Sequence, residues 1–206
     1  MNRRTVASSL GLLTISLGAL AAEPAAAGSQ DVQVYVGEIF GDRLTQPLLW
    51  GTTPRLDDSV TFGGRYTYNF MREFGLQLSA GYTPSRATHV AGGDSNLGLT
   101  TLDLDAVWYV IPEYALFGHR FSAYAVAGAG YAWANLDHPL YGFAAARPLT
   151  DSDGYTANAG LGAKYYLHDN FFLDLDGRYR YVSRVISDYG QGLNSAETTL
   201  SLGYQF

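Results

Sequence analysis

Two pairs of carboxylates are the side chains in this sequence most able to do chemistry. Asp103 and Asp105 alternate with apolar residues, and Asp174 and Asp176 repeat that spacing later in the chain. Residues two apart in a β-strand lie on one face, so each pair brings two carboxyl groups together. Such groups are suited to acid–base catalysis or to binding a metal ion. Basic residues stand at comparable positions, and these are Arg65, Lys164, Arg178 and Arg180.

The histidines and the glycine-rich segments add no site to these carboxylates. His89, His119, His138 and His168 fall in predicted loops or turns without the spacing of metal ligands. The segments 128–130 and 160–162 each place two glycines around one apolar residue, but no predicted helix follows them, as a phosphate-binding loop requires. We therefore predict no catalytic residue, no cofactor and no metal site.

The elements that must position the charged residues are strands. Eight segments alternate apolar and polar residues, a period that predicts β-strands with two different faces; they are 32–40, 60–70, 74–83, 101–110, 121–133, 155–167, 171–181 and 196–206. Short turns alternate with longer polar loops, which are 41–58, 84–98, 135–152 and 184–195. This order predicts an all-β fold, an eight-stranded antiparallel transmembrane up-and-down β-barrel with tight periplasmic turns and both termini in the periplasm.

The residue types on the two strand faces favour a membrane barrel over a soluble one. The polar face carries Asp, Arg and Lys in mid-strand, while the other face is rich in Leu, Ala, Tyr and Phe. A soluble barrel would have its apolar face inside. We therefore expect the charged face to line the lumen and the apolar face to contact lipid, except in 121–133, where the two faces look alike.

The charged lumen is expected to be a structural network. An eight-stranded barrel is only wide enough for side chains to fill it, and charges removed from water must be paired. Counting back from the turn at 168–170 places Lys164 opposite Asp174, so we predict a salt bridge there. Arg65 is expected to reach Asp103 or Asp105. The full predicted set is Arg65, Asp103, Asp105, Lys164, Asp174, Asp176, Arg178 and Arg180, with an ion-conduction path as the alternative.

The N-terminal residues have the features of a secretory signal peptide. Arg3 and Arg4 precede an apolar stretch and small residues suitable for cleavage. We predict a signal peptide over 1–21, with cleavage as late as residue 27 as a second choice, and a barrel domain over 22–206. Without Arg3 and Arg4, 11 of the 13 basic residues remain against 19 acidic ones. Such an acidic chain is a poor nucleic-acid binder.

The C-terminal strand has the pattern of an assembly signal. Leu200, Leu202, Tyr204 and Phe206 share one apolar face. Together with the strand–turn–strand segment 66–84 and the small-residue strand 124–131, this ending resembles the small bacterial outer-membrane β-barrel proteins of the OmpA, OmpX and OmpW type. The resemblance implies a Gram-negative outer membrane, insertion by the barrel-assembly machinery, and contact with outer-membrane lipid and lipopolysaccharide. The segment 66–84 is similar to the OmpW branch, which is associated with uptake of small hydrophobic compounds through an apolar lumen.

Three functions remain open at this point. The first is a non-enzymatic barrel with a role in envelope integrity, surface interaction or adhesion through its external loops, whose ligand the sequence does not name. The alternative is a porin-like narrow channel or a carrier for small solutes. A lipid-modifying outer-membrane enzyme is a third hypothesis, which lacks a recognisable nucleophile–base pair.

Overall fold

Nine strands make up the part of the chain that the computed structural model describes, which is residues 28–41, 55–56, 58–88, 95–116, 119–137, 152–183 and 193–206. The predicted signal peptide lies outside these residues. The strands are β1 (Ser29–Gly41), β2 (Arg55–Leu56), β3 (Ser59–Asn69), β4 (Phe74–Thr88), β5 (Ser95–Leu116), β6 (His119–Leu136), β7 (Ser152–Tyr166), β8 (Phe171–Val182) and β9 (Leu193–Gln205). No helix among the described residues is long and apolar enough to cross a membrane.

The eight long strands close into a cylinder. Its order is β1, β3, β4, β5, β6, β7, β8 and β9, each strand antiparallel to the next, and β9 pairs again with β1. The two-residue strand β2 extends the sheet only beside β4. A closed sheet leaves no edge of unpaired backbone groups. The predicted eight-stranded antiparallel up-and-down barrel is thereby confirmed.

Residues that alternate along a strand point alternately into the lumen and to the outer face of the barrel. In β8, every second residue from Phe172 to Val182 is buried in the lumen, while the residues between them are exposed on the outer face. In β6, whose two faces the sequence did not distinguish, alternate residues also point into the lumen. There Ser122, Tyr124 and Val126 are buried inside.

The two ends of the barrel differ in their connections. The turns 70–73 and 167–170 lie at the end where Gln30 and Phe206 exchange two backbone hydrogen bonds, with N–O distances of 3.0 and 2.9 Å. We call this the short-turn end. At the opposite end, the long-loop end, the strands are joined through segments 42–54, 89–94, 138–151 and 184–192, which are outside the described residues.

One predicted connection is largely strand. The sequence predicts a connection over 111–119, but β5 continues to Leu116 and β6 begins at His119. The pairing of β5 with β6 shifts register between Tyr109 and Ile111 and again between Ile111 and Tyr114. Proline has no N–H to donate to a ladder, and Pro112 lies inside this shifted region. The ladder therefore shifts twice, the second time across Pro112, and resumes instead of ending.

Candidate functional site

All eight charged residues predicted to line the lumen do face it. Each is at most 3% exposed, because each occupies a position of the inward-facing alternation in its strand. Two further acids share the lumen, Asp31 of β1 and Glu197 of β9. The sequence analysis missed both, although each lies in phase with polar neighbours: Asp31 with Gln33, and Glu197 with Thr199.

Arg178 lies at the centre of the lumen network. Its Nη1 is 2.8 Å from Asp105 Oδ2, and its Nε is 2.7 Å from Asp176 Oδ1. Its Nη2 donates a hydrogen bond of 2.6 Å to Gln77 Oε1. One guanidinium thus joins acceptors from β4, β5 and β8. The planar fork of arginine is suited to several acceptors in one plane, which a lysine cannot match.

Arg65 pairs with a different acid from the one predicted. Its Nη2 lies 3.3 Å from Asp176 Oδ1 and donates a hydrogen bond of 3.0 Å to Thr199 Oγ1. Its guanidinium also lies over the ring of Tyr35, 4.4 Å from the centroid. The predicted contact with Asp103 or Asp105 is wrong, because Arg178 and Arg180 from β8 occupy those two acids.

Arg180 forms the layer of the network nearest the long-loop end. It makes ion pairs with Asp103 of β5 and with Glu197 of β9, the latter at 3.2 Å. Gly130 provides the space for this layer, since a Cβ there would lie 2.5 Å from Asp103 Oδ1. The glycines of β6 therefore make room for buried acids rather than bind phosphate.

Lys164 closes the lumen near the short-turn end. Its Nζ forms an ion pair with Asp31 of β1 and donates a hydrogen bond of 2.9 Å to Tyr109 Oη. The ammonium also lies 4.8 Å from the ring centroid of Phe172. The predicted salt bridge with Asp174 is wrong, although the two residues are cross-strand neighbours in the β7–β8 ladder. The flexible lysine side chain crosses the lumen instead.

Asp174 is bound by a tyrosine. Tyr124 Oη lies 3.0 Å and 2.9 Å from the two carboxyl oxygens of Asp174, and 3.1 Å from Asp176 Oδ2. All three side chains are at most 2% exposed. The two carboxylates therefore share one hydroxyl. Of these two acids, only Asp176 makes an ion pair with arginine among the described residues.

An apolar layer covers the network toward the long-loop end. Its side chains are buried inside the barrel and come from four strands: Leu97, Leu99, Ala132, Ala134, Val182 and Leu193. The lumen thus contains this apolar layer, the ionic network and aromatic side chains around Lys164.

The barrel wall is interrupted between β3 and β4 near the long-loop end. Backbone pairing of β3 with β4 reaches Phe62–Tyr82, and pairing resumes with β2 at Leu56–Ala87. Pro84 lies between these two pairs and has no N–H to donate. The β3–β4 ladder therefore has a gap beyond Phe62–Tyr82, while β3 stays paired with β1 and β4 stays paired with β5 on their other sides.

A cavity of about 630 Å³ opens at this gap. On the inner side of the wall, Thr83 Oγ1 donates to Thr61 Oγ1 at 3.0 Å, and Ser59 Oγ donates to Ser85 Oγ at 3.0 Å. Side-chain hydrogen bonds thus bridge the strands where the backbone does not. The cavity is lined by Asp58, Ser59, Val60, Tyr82, Pro84, Ser85, Asn96, Leu97, Gly98 and Asp137.

The residues of the predicted assembly signal lie on the outer face of β9. Leu200 and Leu202 are exposed there, and Tyr204 and Phe206 are half-buried. Tyr204 packs edge-on against Phe171 of β8, with ring centroids 5.0 Å apart, and stacks on Phe206 at 6.3 Å. The four side chains thus form one apolar row that ends in an aromatic cluster at the short-turn end.

The described residues contain no group of three or more His, Asp or Glu side chains arranged to hold a metal ion. His119 and His168 are exposed at the short-turn end, and His119 packs against the ring of Tyr165. His89 and His138 lie outside the described residues.

A closed antiparallel cylinder with an apolar outer face and an ionic interior is an integral outer-membrane β-barrel. The sequence itself agrees with this class. It matches the family model of the outer membrane protein beta-barrel domain over residues 12–206, and the chain belongs to that family. The bacterial outer membrane is accordingly its location.

Two solved structures have a similar fold. The outer membrane protein OprG from Pseudomonas aeruginosa has 16% sequence identity and a TM-score of 0.61, covering 88% of this chain and 97% of that one. Neisserial surface protein A (NspA) has 14% identity and a TM-score of 0.55, covering 87% of this chain and 99% of that one. No curated protein sequence matches the chain. At these identities the likeness establishes a shared fold.

Proposed function

We propose that this chain is a non-enzymatic, non-conducting outer-membrane barrel that serves envelope integrity, surface interaction or adhesion through its external loops. The observation that supports this most is the buried ion-pair network, to which Arg178 contributes contacts with three strands. All eight long strands place a side chain in the network or in hydrogen bonds to it. A filled lumen leaves the long-loop end as the surface available for recognition.

The proposal includes an orientation in the membrane. The signal peptide over 1–21, or to residue 27, directs export, and the short-turn end then faces the periplasm. The long-loop end faces the outside, within the lipopolysaccharide leaflet. Lipid and lipopolysaccharide contact the apolar outer face, and the barrel-assembly machinery inserts the chain through the row that includes Tyr204 and Phe206. Tight turns on the periplasmic side and longer loops outside are the usual arrangement.

Planar-bilayer conductance of the refolded protein tests the sealed lumen. We expect no ohmic conductance in the wild-type protein, nor in a variant in which 138–151 is replaced by a short Gly/Ser linker, because the network fills the barrel. Expressing cells with this replacement should lose attachment to their target surface while keeping a heat-modifiable barrel. Stable single-channel conductance of the wild type would contradict the proposal.

A second candidate function is a carrier for small apolar solutes, and the gap between β3 and β4 favours it. The cavity at this gap has exposed apolar side chains such as Val60 and Pro84 together with the buried Leu97. A small apolar molecule entering there would reach the lipid through the wall without crossing the charged lumen.

Uptake by whole cells distinguishes this candidate. Replacing Val60 by Trp would fill the cavity from the outer wall, whereas Val36 to Trp changes an equally lipid-facing position away from it. If the barrel is a carrier, cells with Val60→Trp should accumulate a radiolabelled monoterpene more slowly than wild-type cells, and cells with Val36→Trp should not differ. Equal uptake by cells lacking the protein would eliminate the carrier function.

A further inference from the structure

The lumen holds more buried carboxylates than buried cations. Among the described residues, six acids and four bases are buried in it. The acids are Asp31, Asp103, Asp105, Asp174, Asp176 and Glu197, and the bases are Arg65, Lys164, Arg178 and Arg180. Each base forms its ion pairs with acids other than Asp174. An isolated buried carboxylate is costly and tends to take up a proton instead.

The contacts of Tyr124 favour an additional proton. Its hydroxyl oxygen lies within 3.1 Å of three carboxyl oxygens, two of Asp174 and one of Asp176. A tyrosine hydroxyl carries a single proton, and an ionised carboxylate only accepts. If that proton is directed to one acid, the oxygen of the other acid is left against the hydroxyl oxygen with nothing between them. A second proton, carried by one of the two acids, would supply a donor for that contact.

Asp176 is the acid that remains ionised. Its Oδ1 lies 2.7 Å from Arg178 Nε and 3.3 Å from Arg65 Nη2, and two guanidinium groups stabilise the anion. The groups facing Asp174 come from five strands: Asp176 on its own strand, Tyr124 on β6, Lys164 on β7, Arg65 on β3 and Ser201 on β9. The two cations in this set have their ion pairs with Asp31 and Asp176.

We propose that Asp174 is a proton-binding site inside the barrel. Its carboxylic acid keeps its proton in the folded protein and donates to Tyr124 Oη, while Tyr124 donates its own proton to Asp176 Oδ2. The proton converts an electrostatic repulsion between two acids on one strand face into a directed chain of two hydrogen bonds. This assignment is independent of what the long-loop end binds.

Asparagine substitutions at the two acids test the proposal, because Asn has the shape of a neutral Asp and can both donate and accept. In lipid vesicles, Asp174→Asn should leave the urea midpoint of unfolding unchanged. The matched variant Asp176→Asn should lower it or prevent folding, because Arg65 and Arg178 lose their shared anion. A lowered midpoint or failed folding of Asp174→Asn would overturn the proposal.

Infrared spectroscopy of the wild-type barrel provides a readout that does not depend on stability. At neutral pH, the carbonyl stretch of a protonated carboxylic acid should be present in the wild-type protein and absent from Asp174→Asn. It should persist in Tyr124→Phe if that variant folds, shifted because the hydrogen bond is lost. A wild-type spectrum without a protonated-acid band, or the same band in Asp174→Asn, would show that Asp174 is ionised.

Discussion

Arg178 and Asp105 are 73 residues apart in the chain, yet Arg178 Nη1 and Asp105 Oδ2 lie 2.8 Å apart, with both side chains fully buried. Arg178 is on β8 and Asp105 is on β5, so β6 and β7 separate them around the wall. The contact therefore spans the lumen and not the ladder. It ties together two parts of the wall that share no backbone hydrogen bonds.

Replacing Arg178 by Ala should destabilise the barrel more than any change in an exposed turn. The substitution removes the arginine from Asp105, which keeps a hydrogen bond from Asn158, and removes one of the two arginines from Asp176. Stranding buried charges in this way costs about 3–5 kcal/mol. The free energy of unfolding in urea, measured in lipid vesicles, checks the value. Arg72→Ala, at an exposed position in the turn 70–73, is the control, and equal losses in the two variants would contradict a stabilising network.

A valine should not be tolerated at Gly128, whereas it should be tolerated at the neighbouring Ala129. A Cβ at Gly128 would lie 2.0 Å from Asp105 Oδ1 and 2.5 Å from the Leu104 carbonyl oxygen. Gly128→Val should therefore displace Asp105 and cost about 1–3 kcal/mol or more, as overpacking does. Ala129→Val adds the same β-branched side chain on the exposed outer face and should leave stability nearly unchanged. Similar unfolding midpoints for the two variants would disprove the close approach.

The partner of Lys164 can be identified by a double-mutant cycle. Lys164→Met and Asp31→Asn should each destabilise the barrel, and the double variant should recover part of the loss, because each single change leaves one buried group unpaired. The coupling energy between Lys164 and Asp174 in the same assay should be much smaller. A larger coupling for Lys164 and Asp174 than for Lys164 and Asp31 would reverse the assignment.

Phe206 should be needed for assembly. Its backbone seals β9 to β1 through two hydrogen bonds with Gln30, and its ring stacks on Tyr204. Phe206→Asp should lower the yield of heat-modifiable protein in the outer membrane, seen as different gel mobility of unboiled and boiled samples. Phe70→Asp places the same charge at an exposed position of the same end and should have less effect. Normal outer-membrane yield of Phe206→Asp would refute an assembly role.

The local alternation of the sequence determined the architecture and the inner face of most strands. Every charged residue predicted to line the lumen is buried there. A strand has only two faces, and the alternation of residue types along it shows which face is polar. The cross-strand position of Lys164 opposite Asp174 was likewise readable from the turn at 168–170, and it agrees with the observed register. A hairpin pairs residues that are close in sequence, so local counting is sufficient.

The partners of the charged side chains were decided only by closure of the barrel. Lys164 passes over Asp174 to reach Asp31, and Arg65 reaches Asp176, across sequence separations of 133 and 111 residues. Which side chains meet across the lumen depends on the tilt and stagger of all eight strands, and no local pattern encodes either. The lumen contains several acids, and the long flexible side chains of lysine and arginine can reach more than one of them. The sequence thus determined which residues face inward, while the three-dimensional arrangement of the wall decided which of them touch.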